Sequence, residues 1–295
     1  MTHSTHPDQP LRLPPWLRVK TGKANKCRAT RELVAGHALH TVCDNAHCPN
    51  IGECSSSQTA TFLIMGSVCT RNCGFCAVQH GQTMPLDSEE PQRLAAAALN
   101  LGLDFVVVTS VTRDDLEDGG AAHFAATIAA LHAAGLPQVE VLTPDFGGDS
   151  ASLQTVLQAR PTVFNHNIET VRRLCKTVRP QAGYDRSLQV MRQARELAPD
   201  ILRKSGFMVG LGETDEEIEE LLVDLHEAGC QILTIGQYLR PSRHHLPVQR
   251  YVEPERFDEY AAQARAIGIS QVLSGPFVRS SYRAAEVARL AKEVG

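Results

Sequence analysis

The chain has 295 residues, 43% hydrophobic and 21% charged, and its 29 basic and 33 acidic side chains leave a formal charge of -4. These are the proportions of a globular chain with a large core, close to the roughly 250 residues usual for a barrel of alternating strands and helices. No cluster of Lys and Arg suggests a nucleic-acid partner. No apolar run approaches the about 18 residues that span a bilayer, and residues 1–10 lack the regions of a signal peptide, so no membrane partner and a cytoplasmic location are expected.

Residues 1–58 mix His, Pro, Asn and Cys with little periodicity and read as a loop-rich arm whose order depends on bound metal. From residue 59 to 275, short apolar runs alternate with longer amphipathic segments, the pattern of a parallel sheet flanked by helices. Strands are expected at 61–65, 105–110, 139–143, 163–168, 206–210 and 232–238, and helices near 92–101, 121–134, 151–158, 187–197 and 215–228. Gly102, Gly135 and Gly229 follow three of these helices as stops. Thr214 with Glu217 fits a capping box at the start of another. A helical segment at 255–266 leads to a short apolar run at 271–273 and a tail, 276–295, rich in Ala and Arg. Six strand–helix units imply an α/β fold, an open, partial (β/α)6 TIM-like barrel with its active site at the carboxyl ends of the strands.

Of nine cysteines, six (Cys43, Cys48, Cys54, Cys69, Cys73, Cys76) crowd into one short stretch. An odd, clustered set in a chain without an export signal favours metal over disulfides. Directly after the first strand, Cys69-Thr70-Arg71-Asn72-Cys73-Gly74-Phe75-Cys76 places three thiols on one loop. A four-iron cluster takes four ligands, so three cysteines leave one iron open. Structural zinc loops favour paired Cys-x-x-Cys units with four protein ligands, and only one such pair is present. Upstream, Cys43, Cys48 and Cys54 form a second three-ligand set in the arm.

The first motif, with an aromatic residue before its last cysteine, resembles the signature of the radical S-adenosylmethionine superfamily. Together with the second it resembles the lipoyl synthase family over nearly the whole chain. The likeness includes Pro15-Trp16-Leu17, Thr59-Ala60-Thr61-Phe62, the run from Thr109 to Leu116, Asn165-His166-Asn167-Ile168-Glu169-Thr170 and Lys204-Ser205-Gly206. It continues through Gly210-Leu211-Gly212-Glu213-Thr214, Gly236-Gln237-Tyr238-Leu239-Arg240-Pro241 and Arg279-Ser280-Ser281-Tyr282.

This resemblance implies two [4Fe-4S] clusters and S-adenosyl-L-methionine. Cys69, Cys73 and Cys76 would hold the radical-generating cluster, and Cys43, Cys48, Cys54 and a serine of the last motif, Ser281 in preference to Ser280, the sulfur-donating one. The implied reaction inserts sulfur at carbons 6 and 8 of an octanoyl group on a lysine of a carrier protein, either the glycine-cleavage H protein or a lipoyl domain of a 2-oxoacid dehydrogenase E2 subunit. Electrons would come from a reductant protein such as ferredoxin or flavodoxin. Phe75, Thr109, Ser110, Asn167, Glu169, Gly210 and Glu213 are the implied contacts of S-adenosylmethionine; turn and capping roles compete for Gly210 and Glu213, as does a helix cap for the serine pair.

Arg240 and Arg279 are candidates to position a carboxylate or the carrier, with a solvated surface role as the alternative. Cys175 and Cys230 read as packing residues, Cys27 lies outside both motifs, and His166, His244 and His245 show no metal-ligand spacing. Two competing functions are another sulfur-inserting or methylthio-transferring member of the superfamily, acting on a biotin precursor or transfer RNA, and a non-catalytic iron–sulfur carrier. A transfer-RNA enzyme would bring a basic RNA-binding module, which the sequence lacks.

Overall fold

The computed structural model describes residues 12–18, 31–42, 50 and 61–294. Cys27, Cys43, Cys48 and Cys54, and the expected arm boundary near residue 58, lie outside the described residues.

Strands of two to eight residues build the sheet, in the order β1 (His40–Thr41), β2 (Thr61–Ile64), β5 (Val106–Ser110), β6 (Val139–Leu142), β7 (Val163–Asn165), β8 (Leu202–Val209), β9 (Ile232–Gln237) and β10 (Gln271–Gly275). All neighbours are parallel except β1, which runs against β2 at one edge. Two short strands, β3 (Val68–Cys69) and β4 (Gln79–His80), pair separately. The sheet does not close among the described residues, and β1 and β10 are its edges.

The expected helices are present as α1 (Glu90–Asn100), α2 (Ala121–Ala133), α3 (Ser150–Gln158), α5 (Tyr184–Leu197), α6 (Asp215–Glu227), α7 (Pro254–Ile267) and α8 (Ala284–Val294), joined by a short helix that the sequence reading did not include, α4 (Cys175–Val178). The capping box at Thr214 and Glu217 forms in full. Among the described residues no helix is long and apolar enough to cross a membrane.

Three differences from the sequence reading have physical causes. The apolar run at 271–273 becomes a seventh parallel strand, because β9 offers it a free edge from Ile232 to Gly236. The fifth parallel strand begins at Leu202, not 206: Arg203 is held by the carbonyls of Gly229, Pro199 and Ile201, and Lys204 by Glu140, so polar residues lie buried inside a strand. The fourth ends at Asn165, after which the backbone turns, with Glu169 at φ +68 returning to bridge Phe207.

Strand side chains alternate between faces. One face, with Val108, Val141 and Phe164, joins the main core under the helices. On the other, Val163, Leu202 and Ile232 pack against Val287, Ala288 and Ala291, so the tail helix covers the amino ends of β7, β8 and β9. Two residues further along this face is a buried polar layer: Lys204 Nζ donates to both Glu140 oxygens at 2.8 and 3.0 Å, and Asn165 Nδ2 donates to Oε1 at 3.0 Å.

A paired buried charge left alone costs about 3–5 kcal/mol, whereas an apolar replacement of both partners is close to neutral. Lys204→Met is therefore expected to lower unfolding free energy by about that amount in denaturant titration. Adding Glu140→Leu should restore most of it.

Candidate active site

The strand ends converge on the loop that leaves β2. Its first turn is fixed from below: Met65 sits at φ +66, and its N–H donates to Glu90 Oε2 at 2.8 Å, the same oxygen that meets His123 Nε2 at 2.7 Å. The loop is then pinned on its β5 side. Arg71 Nε and Nη2 donate to the two oxygens of Asp114 at 2.8 Å each, and Nη2 also reaches Asp145 Oδ1 at 2.7 Å. Burial alone would lower the Arg71 pKa, but hydrogen bonds to Asp114 and Asp145 raise it. Burial alone would also raise Asp145, whose bond to Arg71 instead holds it well below the usual carboxylate range.

The other flank is pinned by α4 and the loop after β9. Gly74 N–H donates to the Val178 carbonyl at 2.8 Å, its own carbonyl accepts from Leu246 N–H at 2.9 Å, and a Cβ on Gly74 would come within 2.9 Å of the Leu246 side chain. His245 Nε2 lies 2.9 Å from the Cys76 carbonyl. Phe75 sits with Val178, Leu211, Tyr238, Met208 and Leu246 in a small apolar cluster.

So held, Cys69, Cys73 and Cys76 are unpaired and half-buried. The sulfur of Cys69 accepts from the N–H groups of Thr112 and Arg71 at 3.3 and 3.4 Å. Burial pushes the Cys73 thiol up to about 12, with the charge of Cys76 adding to it and Arg179 opposing. Burial likewise raises Cys76 to about 11. Sites like these ionise when a cation binds, because a coordinated thiol loses its proton outright. Among the described residues no three His, Cys, Asp or Glu side chains meet at a single-ion site. Thiols that ligate separate irons of a cubane need no common point, so the set fits a cluster.

Around this loop the strand ends present unsatisfied polar atoms. Ser110 Oγ at the end of β5, Thr143 Oγ1 after β6 and Asn167 Oδ1 after β7 are buried without a partner among the described residues. Buried polar groups normally pair, and these three fit a polar cofactor such as S-adenosylmethionine at the barrel mouth. Asn167 Nδ2 donates to Glu169 Oε1 at 3.0 Å and to Ser280 Oγ at 2.5 Å, tying the tail motif to the fourth strand end. Burial raises the Glu169 pKa, against the charge of Arg179, and its own charge is felt at Cys73 and Cys76.

The remaining sequence candidates fall differently. Thr109 Oγ1 donates to the Leu142 carbonyl at 2.9 Å. The Glu213 carboxylate accepts from the N–H groups of Gly210 and Leu211, closing a turn in which Gly210 has φ +99 and a Cβ would lie 2.2 Å from Gln237 Nε2. Ser281 lies half-buried in the turn before α8 and makes no side-chain hydrogen bond to a described residue. Arg240 braces its own loop through the carbonyls of His245 and Arg243.

Sequence reasoning missed Thr143, the Arg71–Asp145 clamp and Arg179. The Arg179 guanidinium is buried and donates to the carbonyls of Asn167 and Ile168 at 2.9 and 2.8 Å and to Ser187 Oγ at 3.1 Å. Only the threonine left a local signal, as a hydroxyl at the end of the third expected strand.

The model of the radical SAM superfamily matches residues 63–225, so the class is a radical SAM protein. Solved structures share the fold at low identity: methylornithine synthase has a TM-score of 0.57 at 14% identity, covering 86% of this chain and 71% of that one. Streptococcus suis SuiB bound to S-adenosylmethionine has a TM-score of 0.56 at 11% identity, covering 76% and 52%. Among curated proteins, the lipoyl synthase of Oleidesulfovibrio alaskensis is 57% identical over 93% of this chain and 94% of its own. That of Methylococcus capsulatus is 51% identical over 96% and 89%. The chain belongs to the lipoyl synthase family of radical SAM enzymes. Membership in the superfamily implies one 4Fe-4S cluster and S-adenosylmethionine.

A histidine in this shell gives a pH test. Burial lowers the His166 pKa to about 4, with its ring held between the Thr143 carbonyl and Ser187 Oγ. The unfolded state, with a histidine pKa near ~6.5, takes up the proton first, so His166 costs stability as pH falls from about 6.5 towards 4. Between pH 7 and pH 5 the wild type should lose about 2 kcal/mol more unfolding free energy than His166→Gln, measured by denaturant titration. Equal losses would contradict this role for burial.

Proposed function

We propose that this chain is a lipoyl synthase that inserts two sulfur atoms, at carbons 6 and 8, into an octanoyl group borne on a lysine of a carrier protein. The carrier is the glycine-cleavage H protein or an E2 lipoyl domain, the reductant is a protein such as ferredoxin or flavodoxin, and the reaction runs in the cytoplasm. Carbons 6 and 8 are unactivated, so no side-chain base can take their hydrogens. Bound S-adenosylmethionine and its cluster supply the 5'-deoxyadenosyl radical for that purpose, and a second cluster supplies sulfide.

The protein's own residues hold, orient and shelter. Cys69, Cys73 and Cys76 carry the first cluster. Ser110, Thr143 and Asn167 offer the cofactor hydrogen-bonding groups that no described residue pairs with. Phe75, Leu211 and Tyr238 supply an apolar wall beside the loop, as a reactive primary radical requires.

One contact carries the reading of the second site. Asn50, the described residue inside the Cys43, Cys48, Cys54 motif, donates from Nδ2 to the Phe277 carbonyl at 2.6 Å. This contact brings Asn50 to the segment that leads to Ser280 and Ser281 and supports a site shared with that segment. Ser280 is engaged by Asn167, which supports the reading, implied by the family resemblance, that the Ser281 hydroxyl is the fourth ligand beside Cys43, Cys48 and Cys54. An oxygen ligand is harder and more weakly held on iron than a thiolate, which suits a cluster that must give up its sulfide.

Anaerobically reconstituted protein is expected to hold about eight irons per chain and, with reductant and S-adenosylmethionine, to convert an octanoyl-lysine peptide to its dithiolated form by mass spectrometry. Cys48→Ala should hold about half that iron, still form 5'-deoxyadenosine, and make no thiolated peptide. Thiolation by Cys48→Ala would refute the second site.

A further inference from the structure

The two flanks of the cysteine loop differ in charge. On the β5 side Asp114, Asp115 and Glu117 are exposed, with Asp114 bonded to Arg71 and Asp115 to Arg113. On the other side, the three segments that meet at Gly74 hold no carboxylate: residues 65–86, 170–184 and 228–252 contain no Asp or Glu, in a chain with 33 of them and a net charge of -4. Lys176, Arg240 and Arg243 are exposed there. Neither Lys176 nor Arg243 is in an ion pair with a described residue, whereas Arg172 and Arg173 nearby are taken up by Asp185, Asp224 and Glu217.

This flank is also thin cover. The residue after Lys176, Thr177, has its carbonyl 3.4 Å from where a Gly74 Cβ would stand, and the next, Val178, accepts the Gly74 N–H. Arg243 lies two residues before His245, which meets the Cys76 carbonyl, and three before Leu246, which bonds Gly74. Lys176 and Arg243 thus each lie two residues in sequence from a group that hydrogen-bonds the cysteine loop.

We propose that the face formed by Lys176, Arg240, Arg243 and His244 receives an acidic one-electron donor protein, a reading that rests on the radical function proposed above. The donor gives up one electron and is oxidised by one; the iron–sulfur centre held by Cys69, Cys73 and Cys76 takes it and is reduced by one. Charge complementarity of this kind sets encounter rates and their salt dependence. The face adjoins segments that hydrogen-bond the cysteine loop, the position an electron donor needs, which favours the donor as the occupant.

The test uses the full reconstituted protein with Lys176→Glu/Arg243→Glu, and flavodoxin hydroquinone as the probe. Reduction of the protein by flavodoxin, followed by stopped-flow absorbance, should slow by at least about tenfold at low salt and lose its ionic-strength dependence. Binding of flavodoxin, read by calorimetry, should weaken in parallel. Formation of 5'-deoxyadenosine with dithionite, which needs no docking, should be unchanged. Wild-type rates of reduction by flavodoxin in the double variant would overturn the proposal. So would a raised KM for octanoyl carrier with dithionite as reductant, which would assign the face to the carrier. A wild-type protein that makes no 5'-deoxyadenosine with dithionite would overturn the radical reading itself, a result distinct from loss of the donor surface.

Discussion

The Arg71 guanidinium, shared between Asp114 after β5 and Asp145 after β6, is the contact on which the site is built. The cysteine loop leaves β2 on a left-handed residue and has almost no regular structure of its own, apart from the two-residue pairing of β3 with β4. A loop of this kind disperses unless tertiary contacts over-determine it. Arg71 supplies them in charged, bidentate form at the one place where the ends of three neighbouring strands, β2, β5 and β6, come together. Because the Asp145 side chain is fully buried, loss of the guanidinium would strand a carboxylate as well as release the loop.

With the loop fixed, the barrel mouth acquires its chemical character from what remains unpaired. Burial raises the thiols of Cys73 and Cys76, three strand-end polar groups lack partners among the described residues, and a carboxyl at Glu169 is pushed towards its neutral form. In a finished core each of these would be a defect. Gathered at the carboxyl ends of adjacent parallel strands, they describe a mould for a metal cluster and a polar cofactor. Arg179 links the two sides: it ties down the backbone that presents Asn167 and Glu169 and places its positive charge near Cys73.

How much of this was legible in the sequence follows from how local each signal is. The cysteine spacing, the strand and helix alternation and the Thr214–Glu217 cap depend on neighbours within a few residues, and all could be read from the chain. The first half of β8 could not, since Arg203 and Lys204 look solvent-seeking until Glu140, 64 residues away in sequence, and the carbonyl of Gly229 are brought to them. β1 is two residues long and exists only as an edge on β2. Arg71 and Arg179 are likewise ordinary basic residues until the fold buries them among acceptors contributed by other strands. Glu213 and Gly210 show the converse: a motif suggestive of cofactor contact is occupied in holding its own turn.

The central claim is that the three-cysteine loop leaves one iron of its cluster to be ligated by S-adenosylmethionine. Pulsed electron–nuclear double resonance on the reduced, anaerobic protein with the cofactor labelled by 15N at its amino group tests it most directly. A hyperfine coupling between that nitrogen and the cluster, present in the wild type and absent when Cys73 is replaced by Ala, is the predicted result. A fully loaded wild-type protein that binds the cofactor yet shows no such coupling would contradict it.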